Sequence, residues 1–138
     1  MSKVAVIYWS GTGNTEAMAK SIEKGLKDKN AEVEVFEVSS APANLDAYEK
    51  VAFGCPSMGA EVLEETAFEP YFTSVEKSLG GKKTALFGSY GWGDGQWMRD
   101  WAERTKASGA VLIDDGFMQH EAPDTNECEE FGRKFAEF

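Results

Sequence analysis

Short runs of apolar and β-branched residues alternate with segments of helical period along the whole chain. Val4 to Tyr8, Val51 to Phe53, Thr84 to Phe87 and Ala110 to Ile113 are continuously apolar or nearly so. That is the pattern of parallel strands covered on both faces. Glu32 to Val38 mixes charges among its apolar residues, which suits a less protected edge strand. Between these runs the period lengthens. Met18, Ile22 and Leu26 form one stripe on a helix starting near Asn14, and Phe68, Phe72, Val75 and Leu79 form a second. Thr66 followed by Glu69 has the spacing of a capping box, and Pro70 falls where a first helical turn tolerates it. Trp97 and Trp101 mark a third helix with Asp94 or Gly95 near its start. Cys128, Phe131, Phe135 and Phe138 mark a fourth, beginning just past Pro123. Turns are expected at Asp28-Lys29-Asn30, Gly80-Gly81 and Ser108-Gly109.

Strand and helix alternating from end to end predict an α/β fold with a parallel sheet. Five strands in a chain of this length fit a three-layer, doubly wound arrangement. No repeat, low-complexity tract or linker interrupts it, so residues 1–138 read as one domain. In such folds ligands sit beyond the carboxyl ends of the strands, and the loops that follow the strands carry the chemistry.

Composition narrows the function classes. Apolar residues make up 42% and charged residues 28%, ordinary for a globular protein. Acidic residues outnumber basic ones 24 to 14, a net charge of −10, which argues against nucleic acid or an anionic membrane as partner. Val4 to Trp9, the longest apolar stretch, is too short to span a bilayer, and nothing at the N-terminus reads as a signal peptide. Two cysteines, Cys55 and Cys128, make neither a disulfide framework nor a metal-ligand spacing, so a reduced, cytoplasmic location is expected.

The first strand runs directly into Ser10-Gly11-Thr12-Gly13-Asn14-Thr15-Glu16. Three hydroxyls, an amide and two glycines at a helix N-terminus offer free N–H groups, a positive dipole end and neutral side-chain donors. A phosphate is the obvious guest. A Walker loop would need a lysine, and none is present; a dinucleotide fingerprint would need glycine or alanine where Glu16 stands.

Tyr8 to Thr15 resembles the phosphate-binding signature of the flavodoxins, small FMN-carrying electron-transfer proteins. Two later loops extend the likeness: Gly54-Cys55-Pro56-Ser57-Met58-Gly59-Ala60-Glu61 and Gly88-Ser89-Tyr90-Gly91-Trp92-Gly93-Asp94-Gly95, the latter followed by Trp97-Met98-Arg99-Asp100. With three motifs in order, the chain is most similar to the short-chain, clostridial type. The resemblance implies the strand order 2-1-3-4-5. It implies that Ser10, Thr12, Asn14 and Thr15, with backbone from Gly11 and Gly13, hold the FMN phosphate. Pro56, Ser57, Ser89, Tyr90, Gly91 and Gly93 then belong to the loops around the ring. Met58 and Trp92 flank its two faces, Glu61 lies near its pyrimidine edge, and the Gly59–Ala60 peptide faces its N5 and turns over on reduction. Glycine at 59 suits that flip, whereas Ala60 brings neither left-handed tolerance nor a side-chain hydrogen bond. Apart from any family, a thioether and an indole in Gly-rich loops are fitting neighbours for a flat conjugated plate.

Charge adds a redox argument. The windows 9–16, 57–65, 90–95 and 114–122, all read as loops at the carboxyl end of the sheet, contain no Lys or Arg. They do contain Glu16, Glu61, Glu64, Glu65, Asp94, Asp114, Asp115 and Glu121. Each carboxylate about 10 Å from an anionic reduced ring opposes it by roughly 0.4 kcal/mol. Several together contribute about 1–3 kcal/mol before screening, or roughly 40–130 mV. One net hydrogen bond to N5–H, about 1 kcal/mol, raises the first couple. The expected carrier therefore works at low potential between semiquinone and hydroquinone, as a monomer. It meets reductases and low-potential acceptors transiently through an acidic face.

Other residues read as structural. Cys55 lacks the arginine of a phosphatase loop, Cys128 lies on an apolar stripe, His120 has no nucleophile beside it, and Trp97 and Trp101 have packing spacing. Trp9 adjoins the phosphate loop, its direction open. No general acid, base or nucleophile constellation is present, so an electron carrier is favoured over an enzyme. The alternative on the same scaffold is an FMN-dependent quinone or nitro-compound reductase. A receiver domain would need acids after strand one and an Asp after strand three, where this chain has Trp9-Ser10 and Cys55-Pro56.

Overall fold

The apolar runs become strands of one parallel sheet in the computed structural model, which describes residues 3–138. In chain order the elements are β1 (Lys3–Tyr8), α1 (Asn14–Asp28), β2 (Glu32–Glu37), β3 (Lys50–Gly54), α2 (Phe68–Glu76), β4 (Lys83–Tyr90), α3 (Gln96–Ala107), β5 (Val111–Leu112), β6 (Phe117–His120) and α4 (Thr125–Glu137). The strand order is β2-β1-β3-β4-β5, with β6 also paired to β4, every pairing parallel. The charge-bearing run is the edge strand β2, as its composition requires.

Successive residues of the central strands feed opposite layers. Ala5, Ile7, Val51, Phe53 and Leu86 pack with Phe68, Phe72, Trp97 and Trp101 of α2 and α3. Val4, Val6, Ala52, Ala85 and Phe87 pack with Met18, Ile22, Leu26, Phe131 and Phe135 of α1 and α4. This two-residue alternation puts a helical layer on each face of the sheet. On one face α1 and α4 meet through glycines: a Cβ at Gly25 would lie 2.0 Å from the Glu129 carbonyl oxygen, and one at Gly132 would lie 2.3 Å from that of Ile22. On the other, the Arg104 guanidinium lies over the Phe72 ring and bonds both Glu69 and Glu76, tying α3 to α2.

Two expectations need correcting. The fifth strand is not the single run Ala110 to Ile113. It is β5, only two residues long, then a break at 113–116, then β6. Residues 117–120, read as loop from the sequence, therefore pair with Phe87 to Tyr90. Phe-Met-Gln-His has little β-branched content and shows no clean alternation, so its pairing comes from the open edge of β4. The Thr66–Glu69 capping box also does not form. Glu64 caps α2 instead, its carboxylate accepting from the N–H groups of Thr66, Ala67 and Phe68 at 2.8–2.9 Å and from the Thr66 hydroxyl. Among the described residues no helix is long and apolar enough to cross a membrane.

Candidate cofactor site

The parallel strands deliver three loops to one edge of the sheet. Main-chain bonds prolong the sheet into them: Trp9 N–H to Gly54, Cys55 N–H to Phe87 and Ser57 N–H to Ser89, each 3.0 Å. Two glycines permit this close approach. A Cβ on Gly54 would sit 2.2 Å from the Phe87 ring, and one on Gly88 would sit 2.2 Å from the Cys55 carbonyl oxygen. Thr15 Oγ1 and Ser89 Oγ, buried and 3.0 Å apart, fasten the first loop to the third.

The first loop is a cluster of unused donors. Ser10 Oγ accepts from the N–H groups of Gly13 (3.1 Å) and Glu16 (3.2 Å), folding the loop around its own hydroxyl. Gly13, at φ 98°, makes the left-handed entry into α1, a turn glycine takes without strain. The N–H groups of Ser10, Gly11, Thr12, Asn14 and Thr15 meet no protein acceptor among the described residues. Five main-chain donors thus stand at the positive end of a 15-residue helix, with Thr12 exposed and Asn14 half-exposed beside them, an arrangement chemically suited to an anion.

The second loop is a tight turn. Met58 and Val62 exchange both backbone hydrogen bonds at 2.9 Å, leaving Gly59, Ala60 and Glu61 at the tip. Gly59 has φ 50° and Glu61 φ 55°, so the left-handed positions bracket Ala60, which itself avoids that region. In the third loop, Trp92 is 64% exposed, far too open for a core residue.

These loops enclose a cavity of about 240 Å³ lined by Trp9, Gly11, Thr12, Asn14, Pro56, Ser57, Met58, Ser89, Tyr90, Gly91 and Glu121. Nine of the residues singled out in the sequence thus share one wall or another of it. Ser10, Gly13 and Thr15 shape the wall from behind, while Gly59, Ala60, Trp92 and Gly93 stand at the exposed tips of the two neighbouring turns. Glu61 is not among the lining residues; its carboxylate accepts from the Gln96 N–H at 2.7 Å. Trp9 and Glu121 were not anticipated as lining residues. Trp9 packs under the loop, where a Cβ on Gly11 would meet its ring at 2.9 Å, and that small residue was the available signal. Glu121 was expected only as one of the acids at the carboxyl end of the sheet; it reaches the cavity wall through β6, with its N–H 2.7 Å from the Tyr90 carbonyl. A larger hollow of about 520 Å³ lies between the break at 113–116 and α4, but acids and Lys134 rim it and no comparable donor loop serves it.

No Lys or Arg lines the cavity, as the sequence required. The acids, however, divide. Asp94 pairs with Arg99 at 3.0 Å, Asp115 pairs with Lys106, Glu64 caps α2, and Glu16 accepts from the Tyr8 hydroxyl at 2.8 Å. Asp114 rims the larger hollow, and burial raises its pKa. Among the described residues only Asp94 and Asp115 of these acids meet a Lys or Arg; Glu16, Glu61 and Glu64 keep their charge against neutral donors, and Glu121, 3.8 Å from the His120 ring, lines the cavity itself. Burial, then the Glu16 carboxylate, pushes the Tyr8 phenol up to about 12. Burial likewise pushes the Cys55 thiol up to about 12, so it is no nucleophile at neutral pH.

Comparison with known proteins agrees with this geometry. The flavodoxin family model matches residues 6–132. A flavodoxin from Clostridium beijerinckii is 46% identical over 95% of this chain and 97% of its own length. One from Megasphaera elsdenii is 44% identical over 96% and 98%. The solution structure of two-electron reduced Megasphaera elsdenii flavodoxin superposes with a TM-score of 0.91, covering 98% of this chain and 99% of that one. A donor-rich, cation-free loop over a parallel sheet, matched at this identity over nearly its whole length, leaves one assignment: the chain belongs to the flavodoxin family, whose members bind FMN and carry electrons.

Proposed function

We propose that this flavodoxin is a low-potential one-electron carrier working between the half-reduced and fully reduced states of its FMN, and that it is not a substrate-transforming enzyme. The observation that carries the reading is the set of five unpartnered main-chain N–H groups from Ser10 to Thr15 beside a cavity without cations. FMN, when bound, supplies the one-electron chemistry. The chain supplies grip, placement and field.

In this reading the N–H groups of Ser10, Gly11, Thr12, Asn14 and Thr15, with the Thr12 hydroxyl and Asn14 amide, hold the phosphate. Ser10 Oγ and Gly13 keep those donors convergent. Pro56, Ser57, Ser89, Tyr90 and Gly91 line the passage to the ring, and Met58 and Trp92 cover its faces. The exposed tip around Gly59 and Ala60 presents either a peptide N–H or a carbonyl to the flavin's N5. Because Met58 and Val62 fix the base of that turn, the tip peptide can rotate without breaking the bridge. Glu121, and the Glu61 oxygen that Gln96 does not occupy, add negative charge that disfavours the last electron. Redox partners, reductases and low-potential acceptors, would be met at the exposed turns carrying Trp92 and Gly59 through the neighbouring acids.

The test is a spectroscopic reductive titration of the protein loaded with FMN. Two well-separated one-electron steps, the second at low potential, are expected. A protein that takes up no FMN sinks the reading. Brisk oxidation of NADH with a quinone, by the protein alone, replaces it with a reductase.

A further inference from the structure

The turn carrying Met58 and the turn carrying Trp92 come from different strands, yet one side chain joins them. Glu61 occupies the left-handed region, φ 55°, which is strained for a non-glycine residue and persists only where surroundings hold it. Two features hold it. The Met58–Val62 bridge closes the turn behind it, and its Oε2 accepts from the Gln96 N–H at 2.7 Å. Gln96 is the first residue of α3, whose N-cap, Gly95, has no side chain with which to cap it. The carboxylate therefore serves as the cap of a helix 35 residues further along the chain. It also lies flat against Gly93, the residue after Trp92: a Cβ there would be 2.3 Å from Oε1 and 2.5 Å from the carboxyl carbon.

We propose that Glu61 is a positioning residue, a latch whose carboxylate fixes the Met58 turn to the Trp92 turn and so sets the slot that receives the flavin ring. The proposal rests on the FMN reading for its consequence but not for the latch itself, which is a property of the protein without cofactor. An ionic acceptor on a helix N-terminus is among the stronger single hydrogen bonds available. Releasing it frees both the start of α3 and the loop before it.

Two variants of the full chain test this: Glu61→Ala and Glu61→Gln. Amide exchange is followed in the protein without FMN, and FMN association and dissociation rates are measured separately. Glu61→Ala is expected to speed exchange at Gln96 about tenfold, and to speed FMN dissociation by about the same factor with association little changed. Glu61→Gln, which keeps an acceptor oxygen, recovers much of both. Unchanged Gln96 exchange in Glu61→Ala overturns the latch, even if FMN is lost faster, since Glu61 then acts by touching the cofactor alone. Faster exchange spread over every element also overturns it, because that is general destabilisation. A wild-type protein that binds no FMN sinks the cofactor reading, while Gln96 exchange still decides the latch.

Discussion

Glu64 illustrates how little a residue's type says about its use. In the sequence it is one acid among several near a phosphate loop; in the fold it is 6% exposed and caps α2. Burial on its own would raise its pKa, but the Thr66 hydroxyl and the N–H groups of Phe68, Thr66 and Ala67 outweigh burial and hold it at about 2, against about 4.5 when unfolded. Its stabilisation is complete above about pH 5 and is lost as pH falls toward 2, because only the ionised form accepts all of these bonds. Glu64→Gln is expected to cost about 1–2 kcal/mol in urea unfolding at pH 7, a difference from wild type that shrinks steadily below pH 5. The two thiols make a simpler case. Cys55 and Cys128 are both fully buried, and burial pushes each up to about 12. Neither should react with an aromatic disulfide reagent in the folded protein, and both should react on unfolding; a fast-reacting thiol in the native state would contradict the packing.

Between elements, the glycine contact of α1 with α4 carries the most distinctive consequence. Both Gly25 and Gly132 face backbone, not flexible side-chain ends, so an added methyl has nothing soft to displace. Gly25→Ala and Gly132→Ala should each destabilise by about 1–3 kcal/mol, although alanine is the better helix former. The pair should cost less than the sum, since helices already parted by one methyl have room for the next. Thermal unfolding of the three variants checks both statements. Helix stripes were legible in the sequence because their period is long and their large residues regular. The last strand was not: only β4 defines it, and a four-residue break divides it. Helix starts were legible at Asn14 and Thr125 within a residue or two. The start of α2 was located, but Glu64 and not Thr66 caps it, since both lie within reach of the same N–H groups.

For the whole molecule, a net charge of −10 is the relevant quantity. Many acids are paired, as Glu69 and Glu76 are with Arg104 and Asp28 with Arg133, and these neither steer partners nor repel electrons at the cavity. The excess remains. Association with a basic redox partner should slow at least about tenfold between about 10 mM and 200 mM salt, measured by stopped-flow with the FMN-loaded protein. A flat salt profile would mean that docking relies on exposed Trp92 and Val62 instead of on charge.

The amino-acid sequence alone determined the class of fold, the first four strands, the four helical stripes and the donor loop after the first strand. All of these are local: a period of two or of about four, or a dense run of hydroxyls and glycines, is written in neighbouring residues. Contacts between residues far apart in the chain required the tertiary structure. It alone brought Glu121 to the cavity through β6, divided the acids into pairs and caps, turned Glu61 onto the start of α3, and aimed Trp9 beneath Gly11. The direction of a side chain and the partner of a charge are set by whichever backbone happens to arrive opposite, and no periodicity along the chain encodes that.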